Sequence, residues 1–111
     1  MGCPQVLIAN EPRAYREALA QALRQLRPVA GVCVVTPDEL DAFVLQSPPR
    51  LVIYSAPSVV VQTHVTAWVL LYPDGAPLVL YSMAGTQTAA ADLDLSTLVA
   101  LVDDVTPIVA S

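Results

Sequence analysis

Val6-Leu7-Ile8-Ala9-Asn10-Glu11-Pro12 is an apolar run that stops on two polar residues and a proline. Four consecutive apolar residues suit a strand buried on both faces of a sheet. Asn10 has the side chain of a helix cap, and Pro12 suits a first helical turn because its missing N–H has no partner there anyway. Tyr15, Ala18, Leu19, Ala22, Leu23 and Leu26 then recur at helical spacing, with Arg13, Arg16, Glu17, Gln21 and Arg24 assigned to the wet side. Pro28 and Gly31 stop the helix. A buried strand feeding an amphipathic helix is the first half of a βαβ unit.

The pattern repeats outward from there. Residues 32–35 read as a second buried strand, with Cys33 as a small buried hydrophobe. Thr36-Pro37-Asp38-Glu39 reads as a capping box with proline at the first helical position. Leu40, Phe43 and Val44 supply the stripe of a short second helix, which Pro48-Pro49 ends. Leu51-Val52-Ile53-Tyr54-Ser55 is a third strand, and residues 59–71 are predicted as a third helix. Pro73-Asp74-Gly75 marks a turn. Leu78-Val79-Leu80-Tyr81-Ser82 is a fourth strand that echoes the third. Residues 83–94 read as a loop. Leu95, Leu98, Leu101, Val102 and Val105 support a last helix capped by Asp94 or Ser96, although residues 97–102 could also be read as a fifth strand. Residues 107–111 are a tail. Strand–helix alternation predicts one α/β domain over residues 1–111, with three layers (αβα), a short parallel sheet of order 2-1-3-4, and a fifth strand missing or shortened. Only 29 residues follow Ser82, which leaves little room for that strand and two more helices.

Composition narrows the function classes. Hydrophobic residues make up 55% of the 111-residue chain and charged residues 14%, with a net charge of −5. All five basic residues are arginines (Arg13, Arg16, Arg24, Arg27 and Arg50), and no lysine is present. Direct nucleic-acid binding needs a clustered basic face, which these arginines do not form. The two cysteines, Cys3 and Cys33, show no metal-binding spacing, and nothing forces or forbids a disulfide between them. The reading includes no metal and no cofactor. The start of the chain lacks a basic segment followed by an apolar core, and residues 59–71 are too few to span a bilayer, so a cytoplasmic, non-membrane protein is expected.

In parallel sheets, ligands sit at the carboxyl ends of the strands. The expected crevice is therefore lined by Asn10, Glu11, Ser55 and Ser82. The order of these segments resembles the receiver domain of response regulators, a flavodoxin-like fold. Residues 6–12 with Arg16-Glu17-Ala18-Leu19 look like the family's first strand and helix, residues 49–55 like its third strand, and residues 77–82 like its fourth. That family uses two acids after the first strand to hold magnesium, an aspartate ending the third strand as phosphoryl acceptor, a hydroxyl ending the fourth and a lysine after the fifth. The resemblance places Asn10 and Glu11 at the acidic pair, Ser55 at the acceptor and Ser82 at the hydroxyl. One carboxylate is a poor magnesium site, and the acceptor carboxylate and the lysine are missing. The resemblance thus implies a non-enzymatic pseudo-receiver without catalytic residues, placed by analogy in two-component signalling or transcription control.

Between Leu51 and Ala91, 41 residues, the only formal charge is Asp74. The predicted third helix would carry an apolar stripe too wide for one sheet face, and without a fifth strand the fourth would be an open edge. A homodimer through that helix and edge is expected, or a protein partner on the same surface, with Val61, Val65, Trp68, Val69, Tyr72, Val79 and Tyr81 at the interface. His64, mid-helix, reads as a surface or interface residue rather than a catalytic one. Trp68 is expected to be largely buried, and Tyr54 and Tyr81 to have satisfied hydroxyls. The alternative function is a small-ligand-binding or minor enzymatic domain using the crevice.

Overall fold

A computed structural model describes residues 6–11, 13–27, 31–73, 78–83, 86–91 and 93–105. Cys3, Pro12, Pro28, the Asp74-Gly75 turn and the 107–111 tail lie outside the described residues. The elements run β1 (Val6–Ala9), α1 (Arg13–Leu26), β2 (Val32–Val34), α2 (Pro37–Gln46), β3 (Leu51–Tyr54), α3 (Val59–His64), β4 (Trp68–Leu71), β5 (Val79–Met83), β6 (Thr86–Ala90) and α4 (Leu95–Val105). The sheet has six strands in the order β2-β1-β3-β4-β5-β6. Its first four strands are parallel, and β5 and β6 are antiparallel. The fold is α/β, as expected, but the sheet is mixed and longer than the predicted 2-1-3-4.

The difference arises in residues 59–71, expected as one helix. Ser58 caps α3 by accepting the Val61 N–H at 3.2 Å, and the helix closes when the Val65 N–H donates to the Val61 carbonyl at 3.0 Å. Val65 is already extended. The chain then enters β4 beside β3, with Val52 opposite Trp68 and Tyr54 opposite Leu70. A short apolar run such as Trp68-Val69-Leu70-Leu71 fits a strand covered on both faces as well as it fits a helix.

The segment expected as the fourth strand, 78–82, therefore does not sit beside β3. It forms most of β5, which pairs with β4. Only residues 72–78, seven in all, separate β4 from β5. A parallel crossover takes a dozen or more, so the chain must reverse. The reversal starts at Tyr72, whose φ is 49° and whose N–H donates to the Leu78 carbonyl at 2.9 Å. The region expected as a loop contributes β6, paired to β5 with Leu80 opposite Ala89. Residues 97–102 are helical, within α4, and Asp94 caps that helix by accepting the Thr97 N–H at 2.9 Å. Hydrogen bonds from Thr97 hold the Asp94 carboxyl below its ordinary range.

Strand side chains alternate between two core clusters. Val6, Ile8, Leu51, Ile53, Val69 and Leu71 meet Leu19 and Leu23 of α1 and Leu98 and Val102 of α4. Leu7, Ala9, Val52, Tyr54, Trp68 and Leu70 meet Leu40 and Val44 of α2 and Val61 of α3. Each large apolar side chain fully buried in this way contributes roughly 1.5–3 kcal/mol. The Trp68 and Tyr54 rings lie edge to face, with centroids 6.1 Å apart.

These clusters correct the expected interface. Val61, Val65, Trp68, Val69 and Val79 are all buried within the chain's own core, and only Tyr72 and Tyr81 keep partial exposure. The edge meant to accept a partner is taken, since β5 has β4 on one side and β6 on the other. The scarcity of charge in this stretch reflects a central strand and a hairpin rather than a bare helix face. Two further expectations reverse. Cys33 is exposed, because β2 is a three-residue edge strand. Arg16, assigned to the wet side of α1, is buried. No helix among the described residues is long and apolar enough to cross a membrane.

Candidate functional site

The parallel register brings the ends of β1 and β3 level. Ala9 is opposite Tyr54, so Asn10 and Ser55 leave the sheet side by side. The Glu11 N–H donates to Ser55 Oγ at 2.9 Å, joining the two strand ends. Arg16, in the first turn of α1, reaches back over this junction. Its Nη1 donates to the Asn10 carbonyl at 3.1 Å and lies 3.4 Å from Glu11 Oε2. The Glu11 side chain remains 60% exposed, whereas that of Arg16 is 8% exposed.

Asn10 has no exposed surface. Its Oδ1 and Nδ2 have no hydrogen-bond partner among the described residues, and neither does Arg16 Nε. The side chain expected to cap α1 thus caps nothing. A buried polar group left unpaired costs about 1–3 kcal/mol, and three of the four such side-chain atoms among the described residues lie at this junction. The Tyr54 hydroxyl, in the α2/α3 cluster, also has no partner within hydrogen-bonding distance among the described residues, with Gln62 the polar side chain nearby. Burial pushes its phenol up to about 12, an effect that nearby Gln62 tempers.

Three of the four expected crevice residues meet here, and Ser82 does not. The antiparallel run of β5 puts Ser82 opposite Trp68, at the start of β4, so it faces the amino ends of the parallel strands. Arg16 takes its place in the group, a residue that sequence periodicity had put in water. Its position one turn after the strand end was the available signal.

Ser55 Oγ accepts a peptide N–H, and no side-chain base is bonded to it among the described residues. His64 ends α3, where its Nδ1 lies 2.9 Å from Thr63 Oγ1 and 3.1 Å from the Val60 carbonyl. Among the described residues no three His, Cys, Asp or Glu side chains cluster as metal ligands would. Hollows lie elsewhere in the fold. One of about 480 Å³ is lined by Arg50, Thr66, Met83 and Asp104 before the starts of β3 and β4. Another, of about 250 Å³, is apolar and lies between α1 and α4, lined by Tyr15, Ala18, Leu71 and Leu98.

No family model matches the chain, and neither a curated protein nor a solved structure matches it.

Proposed function

We propose that this chain is a receiver-like regulatory domain that lacks phosphoryl transfer and acts by contact with another protein chain. The observation that carries this reading is the bond from the Glu11 N–H to Ser55 Oγ. It fills the place where the resemblance calls for an acceptor carboxylate, while Arg16 sits on the one remaining acid. The two core clusters on opposite sides of the strands support a helix–sheet–helix sandwich of the flavodoxin-like kind. A role in signalling or transcription control follows by analogy alone.

The contact surface in this reading is the outer edge of β6. Edge strands are ordinarily guarded by charge, proline or brevity. Thr86-Gln87-Thr88-Ala89-Ala90 carries neither charge nor proline, and four of its five residues are exposed. Two copies pairing antiparallel about a two-fold axis at Thr88 would extend the sheet and place Thr88 against its copy. Light scattering at micromolar concentration is expected to give a dimer, and Thr88→Lys a folded monomer, because like charges would then face each other. Acetyl phosphate with magnesium is expected to leave the intact mass unchanged. A monomeric wild type, or a mass gain of one phosphoryl group, would overturn the reading.

A second reading, a small ligand held in the crevice, is favoured by one observation: the unpaired buried atoms of Asn10 and Arg16.

A further inference from the structure

The end of the sheet opposite Asn10 and Ser55 is a meeting point of three strands and a helix. Arg50 stands directly before β3, and Thr66 and Ala67 directly before β4. The register sets Val52 opposite Trp68 and Trp68 opposite Ser82, so Met83, the last residue of β5, comes level with them. Asp104 and Val105 end α4 at the same place. These six residues line the hollow of about 480 Å³, a size within the range of roughly 300–1,000 Å³ that small-ligand pockets occupy.

Its charges are unspent. Arg13 is engaged with Glu17, Arg16 with the Asn10 carbonyl, Arg24 with the Val32 carbonyl and Arg27 with Asp103. Arg50 makes no hydrogen bond or ion pair among the described residues. Of the two acids near the end of α4, Asp103 takes Arg27, whereas Asp104 has no partner among the described residues. Arg50 and Asp104 therefore bring opposite charges to one hollow without pairing with each other. The last turn of α4 also carries no basic residue, although the negative end of a helix dipole favours a cation.

We propose that this hollow binds a free α-amino acid with an apolar side chain. The guanidinium fork of Arg50 takes the carboxylate. Asp104 and the negative end of α4 take the ammonium group. Ala67, Met83 and Val105 supply the apolar wall for the side chain, with the flexible thioether of Met83 adapting to its shape. Charge balance selects the zwitterion. The chain's net charge of −5 disfavours a bare anion, and a bare amine would leave Arg50 without a counter-charge. The site lies at the other end of the strands from the crevice and away from the β6 edge pairing, and rests on neither.

The test is titration of the full chain with L-leucine, followed by ¹H–¹⁵N NMR. The Arg50 Nε–H and the backbone amides of Thr66, Met83 and Asp104 are expected to shift together and to saturate in the millimolar range. Isocaproate keeps the carboxylate of leucine and lacks the ammonium group, and isoamylamine keeps the ammonium group and lacks the carboxylate. Each is expected to bind roughly three- to tenfold more weakly, the value of one net polar interaction. Arg50→Gln is expected to bind leucine no better than isoamylamine, and Asp104→Asn no better than isocaproate. Both positions are exposed, so both variants are expected to fold. Equal affinity for all three probes would reveal apolar docking alone and overturn the assignment, as would leucine binding that neither substitution weakens. Binding of γ-aminobutyrate in place of leucine would put the two charges too far apart for an α-amino acid and overturn that class. Absence of a saturable shift with leucine would remove the site altogether, and the dimer measured by light scattering would stand or fall separately.

Discussion

β3 and β6 belong to one sheet and are held in it by different forces. Every residue of β3 is 1% exposed or less, and β1 and β4 flank it on its two edges. β6 has one neighbour, β5, and its Thr, Gln and Ala side chains lie mostly in water. Apolar burial holds the first in place, and the backbone ladder to β5 holds the second. The contrast shows where this chain tolerates change. Substitutions in the parallel centre act through packing, whereas those at the antiparallel edge leave the fold intact and act on whatever meets the edge.

The strongest challenge to that contrast is a charge in the centre. Val69→Asp would bury a carboxylate at a position with no exposed surface, inside an apolar cluster. The effective penalty of several kcal/mol is comparable to the whole stability of a small domain, so loss of the native circular-dichroism spectrum is expected. A folded Val69→Asp would show that β4 is not the packed strand described above. Ile53→Ala, a milder change in the same layer, is expected to lower stability by about 2–5 kcal/mol in urea denaturation, through lost burial and the cavity left behind. Thr88→Ala at the edge is expected to stay within about 0.5 kcal/mol in the same measurement. A cost for Thr88→Ala as large as that of Ile53→Ala would erase the distinction between centre and edge.

The same contrast explains what could be read in the amino-acid order. Residues 6–9, 32–34 and 51–54 are short apolar runs bounded by prolines, caps and polar pairs, and their strands were legible. So were α1, α2 and α4, α1 from its periodicity alone and α2 and α4 from periodicity together with their capping residues. Residues 59–71 were not, because Val59-Val60-Val61 and Trp68-Val69-Leu70-Leu71 are apolar runs too short to carry a periodicity that separates Val61 in a helix from Val69 in a strand. Thr86-Gln87-Thr88-Ala89-Ala90 was missed because a strand that buries almost nothing has no apolar alternation to detect. At the crevice, Asn10, Glu11 and Ser55 followed from the rule that parallel strands end together. Ser82 failed because that rule depends on strand direction, and the short 72–78 connection, which settles the direction, was read only as a turn. Arg16 escaped because a guanidinium on a long stem can turn inward from a position nominally facing solvent.

Tyr72 shows the same competition between backbone and side chain at a single residue. A positive φ is the province of glycine, and a tyrosine there stores of order 1 kcal/mol or more of backbone strain. Its ring nevertheless packs against the α1/α4 core cluster, where burial of comparable value is recovered. Glycine would relax the chain at this corner and leave a gap beneath it. Substitutes at this position should therefore rank by the aromatic surface they bring and not by their ease in a left-handed conformation.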